Sequence, residues 1–169
     1  GVQSSHNHHL KAMNRSHDFE SVKMGVKRLK AKGITNINLD FMFAWTSQTM
    51  KELDQDIEEA LALNPTHLSF YSLILEEKTI LYYNVQHHNQ KMPDEDLDAS
   101  MYERVMKRLP EAGYHHYEIS NFAKKGFESQ HNLIYWNVKE YLGIGLGAHS
   151  QLDNRRFHNF STLSQYLEA

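Results

Sequence analysis

The sequence predicts an α/β fold in which parallel strands alternate with helices. Two observations carry that expectation. Apolar stripes at helical spacing alternate with short apolar runs, in the order strand–helix–strand–helix–strand–helix–strand. Glycine or Asn-Pro follows each long helical stretch, where a helix needs a stop. Strands separated by helices run parallel with the helices packed on their outer face, which leaves a barrel and an open doubly wound sheet as alternatives.

The elements follow in order. "GVQSS" reads as the end of a strand. Asp18 is placed to cap a helix over 19–32, with Phe19, Val22, Val26 and Leu29 as its stripe and Gly33 as its stop. "NINLDFMF" (36–43) is a buried strand, with Ile37, Leu39, Phe41 and Phe43 on one face and Asn38, Asp40 and Met42 on the other. A helix from Thr49 to Leu63 buries Leu53, Ile57, Ala60 and Leu61 and ends at Asn64-Pro65. "HLSFYSLIL" (67–75) is the next strand, followed by a short helix near 79–88. A third long helix, 95–112, aligns Leu97, Met101, Val105 and Leu109; Pro110 is expected to kink it or end it early, and Gly113 closes it. "YHHYEISNFA" (114–123) is a further strand.

After Ala123 the pattern breaks. "KKGFESQ" is a polar loop, "HNLIYWN" is ambiguous, "YLGIGLGAHS" is glycine-rich, "RRFHNF" is a candidate strand and "TLSQYLEA" starts a helix. The expected organisation is a barrel segment over 1–123 and the start of a second region over 124–169.

A chain of 169 residues can bury one sizeable core. A net charge of −3 gives no basic patch, so nucleic-acid binding is not indicated. No apolar run approaches a membrane span, and a cytoplasmic protein is the default. The chain starts at Gly1 at what looks like a strand end, which reads as an excerpt of a longer protein. There is no cysteine, so disulfides, zinc–thiolate sites and iron–sulfur ligation cannot come from this chain. The twelve histidines include the groups His6/His8/His9, His87/His88 and His115/His116. Neighbouring residues diverge in regular elements, so these are read as surface histidines.

Three polar residues fall where parallel folds bind ligands: Gln3, Asp40 and Glu118. Asp40 interrupts an apolar strand, where an unpaired carboxylate is costly; it is either a ligand contact or paired with a nearby base. Gly143, Gly145 and Gly147 form G-x-G-x-G, a weak match to a dinucleotide loop and by itself more consistent with a tight turn; His149 and Ser150 follow it. Taken alone, "HNLIYW" reads as packing.

In sequence order, "GVQS", "NRSH", "NINLDFMF", "SQT", "YSL", "MPDEDLDASMYE", "AGYHHYEISNFA", "HNLIYW", "YLGIGLGAHS" and "RRFHN" resemble the oxygen-independent coproporphyrinogen III oxidase-like family of radical S-adenosylmethionine proteins, and within it the heme-chaperone branch. The resemblance covers essentially the whole chain and is most specific over "YEISNFA" to "GAHS". It implies the second half of a partial, TIM-like parallel β/α barrel, followed by the start of the family's C-terminal region. It also implies that the CxxxCxxC cysteines of a four-iron cluster lie in the missing half.

Gln3, Arg15 and Asp40 match the family's S-adenosylmethionine contacts. The family's "GLPGQT"-like turn is here "AWTSQT" (Ala44–Thr49), in which Trp45 is expected to narrow the ligand side, and its "EPGT"-like turn is "EEKT" (76–79). "HNLIYW" becomes a heme-handling signature, with His131 the candidate iron ligand, Tyr135 and Trp136 able to stack on a porphyrin, and His149 a second candidate ligand.

The implied function is a heme-binding chaperone that passes heme to a membrane-bound respiratory acceptor, with S-adenosylmethionine and the cluster as cofactors. The alternative is oxidative decarboxylation of coproporphyrinogen III. A third reading is a folded half-barrel, inactive alone, whose open sheet edge pairs with another copy.

Overall fold

A computed structural model describes residues 1–87 and 90–168. His88, read above as part of a helix and of a histidine pair, lies outside the described residues. The chain forms two compact units, Gly1–Glu128 and Ser129–Ala169.

Unit 1 contains α1 (Asn7–Ala12), α2 (Phe19–Ala31), β1 (Asn38–Phe43), α3 (Met50–Ala62), β2 (His67–Ser72), α4 (Ile80–His87), α5 (Glu95–Glu111), β3 (His115–His116) and β4 (Asn121–Ala123). The sequence signals for its long helices hold. Asp18 caps α2 by accepting from the Ser21 amide at 2.8 Å. Thr49 and Glu52 form a capping box on α3, each side chain bonding the other's backbone amide. The Lys30 ammonium donates to the Leu63 and Asn64 carbonyls at 2.7 and 3.0 Å, satisfying backbone acceptors beyond the end of α3. Pro110 does not end α5 early: the helix runs one residue further, to Glu111. A proline this close to the C-terminus sacrifices one backbone bond and leaves the preceding turns intact.

The sheet has the order β1-β2-β4-β3. β1 and β2 are parallel, as the helix between them requires, and Gln3 adds a parallel bridge to Phe41 on the other side of β1. The stretch 114–123 departs from expectation. It is two short strands around a bend at 118–120, with β4 antiparallel to both β2 and β3. Backbone and side chains together explain the break. The Tyr117 amide donates to Asn121 O, and Glu118 takes the Ser120 amide and the Asn121 side-chain amide, so the chain doubles back and inserts β4 between β2 and β3. The sheet is therefore mixed. β2 also ends at Ser72, short of the expected Leu75.

The core of unit 1 lies between the sheet and its helices. Leu39, Phe41 and Phe43 of β1 and Leu68 and Phe70 of β2 meet Phe19 and Val26 of α2, Leu53 and Ile57 of α3, and Met101, Val105 and Leu109 of α5. The Phe41 and Phe70 rings stack 5.0 Å apart. Arg108 of α5 grips Glu58 of α3 with two bonds of 2.7 and 3.0 Å, and Arg104 pairs with Asp54 at 2.8 Å; these exposed pairs align the helices more than they stabilise them. Tyr114 donates to Pro65 O at 2.7 Å, and burial pushes its phenol up to about 12.

Unit 2 contains α6 (Gln130–Trp136), β5 (His149–Leu152), β6 (Arg155–His158) and α7 (Leu163–Glu168), with β5 and β6 forming an antiparallel hairpin. "HNLIYW" is thus helical, capped by Ser129, whose hydroxyl accepts from the Asn132 amide.

Candidate functional site on the open face of the sheet

Alternation along β1 and β2 sends apolar residues to the helices and polar ones to the opposite face. The register pairs Asn38 with His67, Asp40 with Ser69 and Met42 with Tyr71, so six side chains share that face. β4 adds Asn121 beside Ser69.

Asn38, Asp40, His67, Ser69 and Asn121 are linked by hydrogen bonds, the Ser69 hydroxyl reaching Asn38 Oδ1 at 3.4 Å. The only acceptor Asn38 offers His67 is its side-chain oxygen, 2.7 Å from Nδ1, so Nδ1 carries the proton. Nε2 is then an acceptor and takes the Tyr117 hydroxyl at 2.7 Å. The Asn38 amide donates in turn to Asp40 Oδ1 at 2.6 Å. Ser69 donates to Asn121 at 2.6 Å, and Asn121 donates to Glu118. Burial lowers the His67 pKa against the opposing pull of Asp40, Glu118 and Glu128, so the imidazole is held neutral.

Gln3 and Asp40 are brought together. Gln3 N donates to Asp40 O at 2.8 Å and Met42 N donates to Gln3 O at 2.9 Å, locking Gln3 against β1. The Gln3 side chain is buried and accepts the Tyr71 hydroxyl at 2.6 Å; burial raises the Tyr71 pKa. Gln3 adopts φ 72°, a strained choice for a non-glycine residue. Asp40 keeps about a third of its side chain open. Arg15, exposed in the loop after α1, lines a depression of about 260 Å³ with Met42, Trp45, Leu73 and Glu76. Trp45 is buried at the wall of that depression.

The two altered turns adopt left-handed backbone at non-glycine residues. Ala44 and Ser47, at the glycine positions of the family turn, adopt φ 57° and 62°, and Lys78, at the glycine position of "EPGT", adopts φ 66°. The retained Gln48 and Thr49 serve the fold: Gln48 donates to Asp56 at 3.2 Å and Thr49 caps α3.

Within unit 2, His131 and Tyr135 sit one turn apart on α6. The Tyr135 hydroxyl lies 3.1 Å from His131 Nε2, and Tyr135 stands edge-on to Tyr141 at 4.7 Å. Both residues are exposed, as is Trp136, which projects about 100° further around the helix. His149 opens β5, its ring 5.3 Å from His158. The glycine-rich segment is a tightly bonded turn. Gly143 N donates to the Ser150 hydroxyl at 2.9 Å, and the Asn159 amide donates to Gly143 O and Gly145 O at 3.2 and 2.9 Å.

Sequence reasoning singled out Gln3 and Asp40 on the sheet, and Glu118, which lies in the bend before β4 and not in a strand, but missed His67, Tyr71 and Tyr117. The period-two pattern His67, Ser69, Tyr71 within "HLSFYS" was the available signal. The histidine groups also require correction. His9 is buried, and His6, His8 and His9 gather around Glu52 instead of pointing apart into solvent. Their convergence is possible because His6 holds the N-cap position of α1 while His8 and His9 lie in its first turn, against the start of α3. His115 is exposed, as expected, whereas His116 is partly buried with its ring stacked 4.4 Å from Phe122.

Comparison with known proteins finds no matching family model. Over its whole length the chain is homologous to proteins named heme chaperones. It is 42% identical over 169 residues to "Heme chaperone HemW" of Lactococcus lactis, covering all of this chain and 45% of that protein. It is 40% identical over 168 residues to the protein of the same name from Bacillus subtilis, covering 99% of this chain and 44% of that one. The chain thus spans less than half the length of these curated relatives. Among solved structures it resembles that described as "Coproporphyrinogen III oxidase (HemN) from Escherichia coli is a Radical SAM enzyme", with a TM-score of 0.74 and 18% identity over 99% of this chain and 41% of that one. That likeness establishes the fold.

Proposed function

We propose that this chain is part of a heme chaperone of the radical S-adenosylmethionine type, binding heme and passing it to a membrane-bound respiratory acceptor. The observation that carries the reading is homology, across the whole of this chain and just under half of each relative, to proteins named heme chaperones. In this proposal β1 and β2 belong to a partial parallel barrel, and residues 124–169 begin a C-terminal region that handles heme.

The open sheet face supports S-adenosylmethionine as a ligand. The side-chain chemistry fits a molecule with ribose hydroxyls, an ammonium and a carboxylate. Asp40 accepts from hydroxyls or the ammonium. Gln3 sits beside it with a fixed backbone. The Arg15 guanidinium meets the carboxylate in a charge-assisted bond. A four-iron cluster, when bound, supplies electron transfer to that ligand; its thiolates come from outside this cysteine-free chain. His67 stays neutral and spends both ring nitrogens on neighbours, so its role is to hold Asn38, and through it Asp40, in place.

For heme, His131 is the candidate axial ligand. Its Nε2 faces the Tyr135 hydroxyl; binding iron through that nitrogen would give up the contact and leave Tyr135 free to pack on the macrocycle. Trp136 and His149 are the remaining candidates for porphyrin contact.

Heme titration of the whole protein, with His131→Ala alongside, tests the reading. A Soret shift at one heme per protein, lost in His131→Ala, is expected. Turnover of coproporphyrinogen III by the cluster-loaded protein, without stoichiometric heme binding, would replace this reading with the oxidase.

A further inference from the structure

The N-terminal histidines of unit 1 form a cluster that neither the sheet-face site nor the heme reading uses. We propose that His6, His8, His9 and Glu52 form a binding site for a transition-metal ion of the Zn²⁺ class.

The geometry begins with Glu52. Its Oε2 is occupied by the Thr49 amide and hydroxyl, both at 2.8 Å, so the capping box fixes the carboxylate in one orientation. The other oxygen, Oε1, is turned toward the imidazoles: His8 Nε2 lies 3.1 Å away and His9 Nε2 3.4 Å away. The ligating atoms of His6, His8 and Glu52 all lie within 4.8 Å of one another. Metal–ligand bonds of about 2.0–2.1 Å in a tetrahedron place neighbouring ligand atoms roughly 3.4 Å apart, so the separations to Glu52 already match two edges of such a site.

Burial supplies an independent argument. His9 is 4% exposed, and its Nε2 has no hydrogen-bond partner although Glu52 Oε1 is close by. An orphaned buried ring nitrogen is costly in a folded protein. A metal ion bridging it to Glu52 satisfies it. His6 Nε2 rests 3.1 Å from Glu52 O and gives up that bond on coordination. Behind it stands Asp56, buried, bonded to Ser4, Ser5 and Gln48, with its carboxylate 4.0 Å from the same His6 nitrogen, which adds negative charge beside the cluster.

Three imidazoles and one carboxylate favour Zn²⁺ or Co²⁺ over the hard oxygen-seeking cations. His6, His8 and Glu52 are the ligands already gathered, with His9 beside Glu52 as the candidate fourth, and a bound ion staples the Ser4–Leu10 segment to the start of α3.

Co²⁺ titration of metal-free protein reports the site directly. Expected are the intense visible bands of tetrahedral Co²⁺ at one ion per protein, without the near-ultraviolet band of a thiolate ligand, and displacement by Zn²⁺. Two variants preserve the fold. His8 is largely exposed, so His8→Asn disturbs no core, and Glu52→Gln retains the capping-box chemistry. Each should weaken binding by at least about tenfold, in line with losses from disturbing even the outer shell of such sites. Octahedral Co²⁺ spectra, stoichiometry spread over many weak sites, or unchanged affinity in both variants would overturn the proposal.

Discussion

The two units are held together by different means. Unit 1 has a layer of fully buried aromatics and aliphatics between sheet and helices. Among the described residues of unit 2 the buried side chains are polar, Ser150 and Gln151, while Trp136, Leu142, Ile144, Leu146, Phe160, Leu163 and Leu167 are exposed. Unit 2 is ordered by backbone and Asn159 hydrogen bonds around its hairpin. Burial of apolar area is the dominant source of stability, so unit 1 should behave as the stable part and unit 2 as the soft one.

The largest expected effect tests that contrast. Phe41→Ala, at a side chain with no exposure, should cost about 3–5 kcal/mol in denaturant unfolding, whereas Leu146→Ala, half-exposed in unit 2, should change stability by under about 0.5 kcal/mol. Equal losses would remove the distinction. Next is Gly143→Ala. A Cβ there would lie 2.1 Å from His149 O, a backbone atom that cannot rotate away. The expected cost is about 1–3 kcal/mol, read as lost hydrogen-exchange protection at the Tyr141 and Gln151 amides, which bond each other's carbonyls at 2.9 Å, with no loss in β1 and β2.

A smaller effect depends on pH. The folded-state pKa of His67 is lowered, so the unfolded chain binds the proton more readily. Its contribution is therefore intact above the ordinary histidine value near 6.5 and is lost as pH falls below it, with a slope of at most about 1.4 kcal/mol per pH unit. Unfolding measured between pH 7.5 and 5.5 should show this decline, and His67→Gln should flatten it; an unchanged slope would remove His67 as the cause. The smallest effects are gains. Ala44→Gly, Ser47→Gly and Lys78→Gly relieve left-handed backbone and should each stabilise by about 0.5–1 kcal/mol in thermal unfolding, the relief outweighing the added freedom of the unfolded chain.

What was legible in the sequence follows the same divide. Phe41, Phe43, Leu53 and Met101 announce their burial by periodicity, so β1, α2, α3 and α5 could be drawn from the residues alone. The reversal at Tyr117–Asn121 could not, because it depends on Glu118 bonding residues two and three positions away inside an apparently strand-like run. For the site, Asp40 stood out as a carboxylate in an apolar strand. His67 was hidden by looking like one more strand residue, and the His6–His9 cluster by a local argument about neighbouring residues that ignored Glu52, more than forty positions along the chain.

The hydrogen-bond chain on the open sheet face also has a direction. Every link from Tyr117 through His67 and Asn38 to Asp40 donates the same way, so the dipoles add and point at the carboxylate. Protonating His67 turns Nε2 into a donor and forces the Tyr117 hydroxyl to rotate and accept, reversing the polarity of the first link. The sheet face thereby carries one bit of information, set by a single proton and readable in the nitrogen chemical shifts of one imidazole.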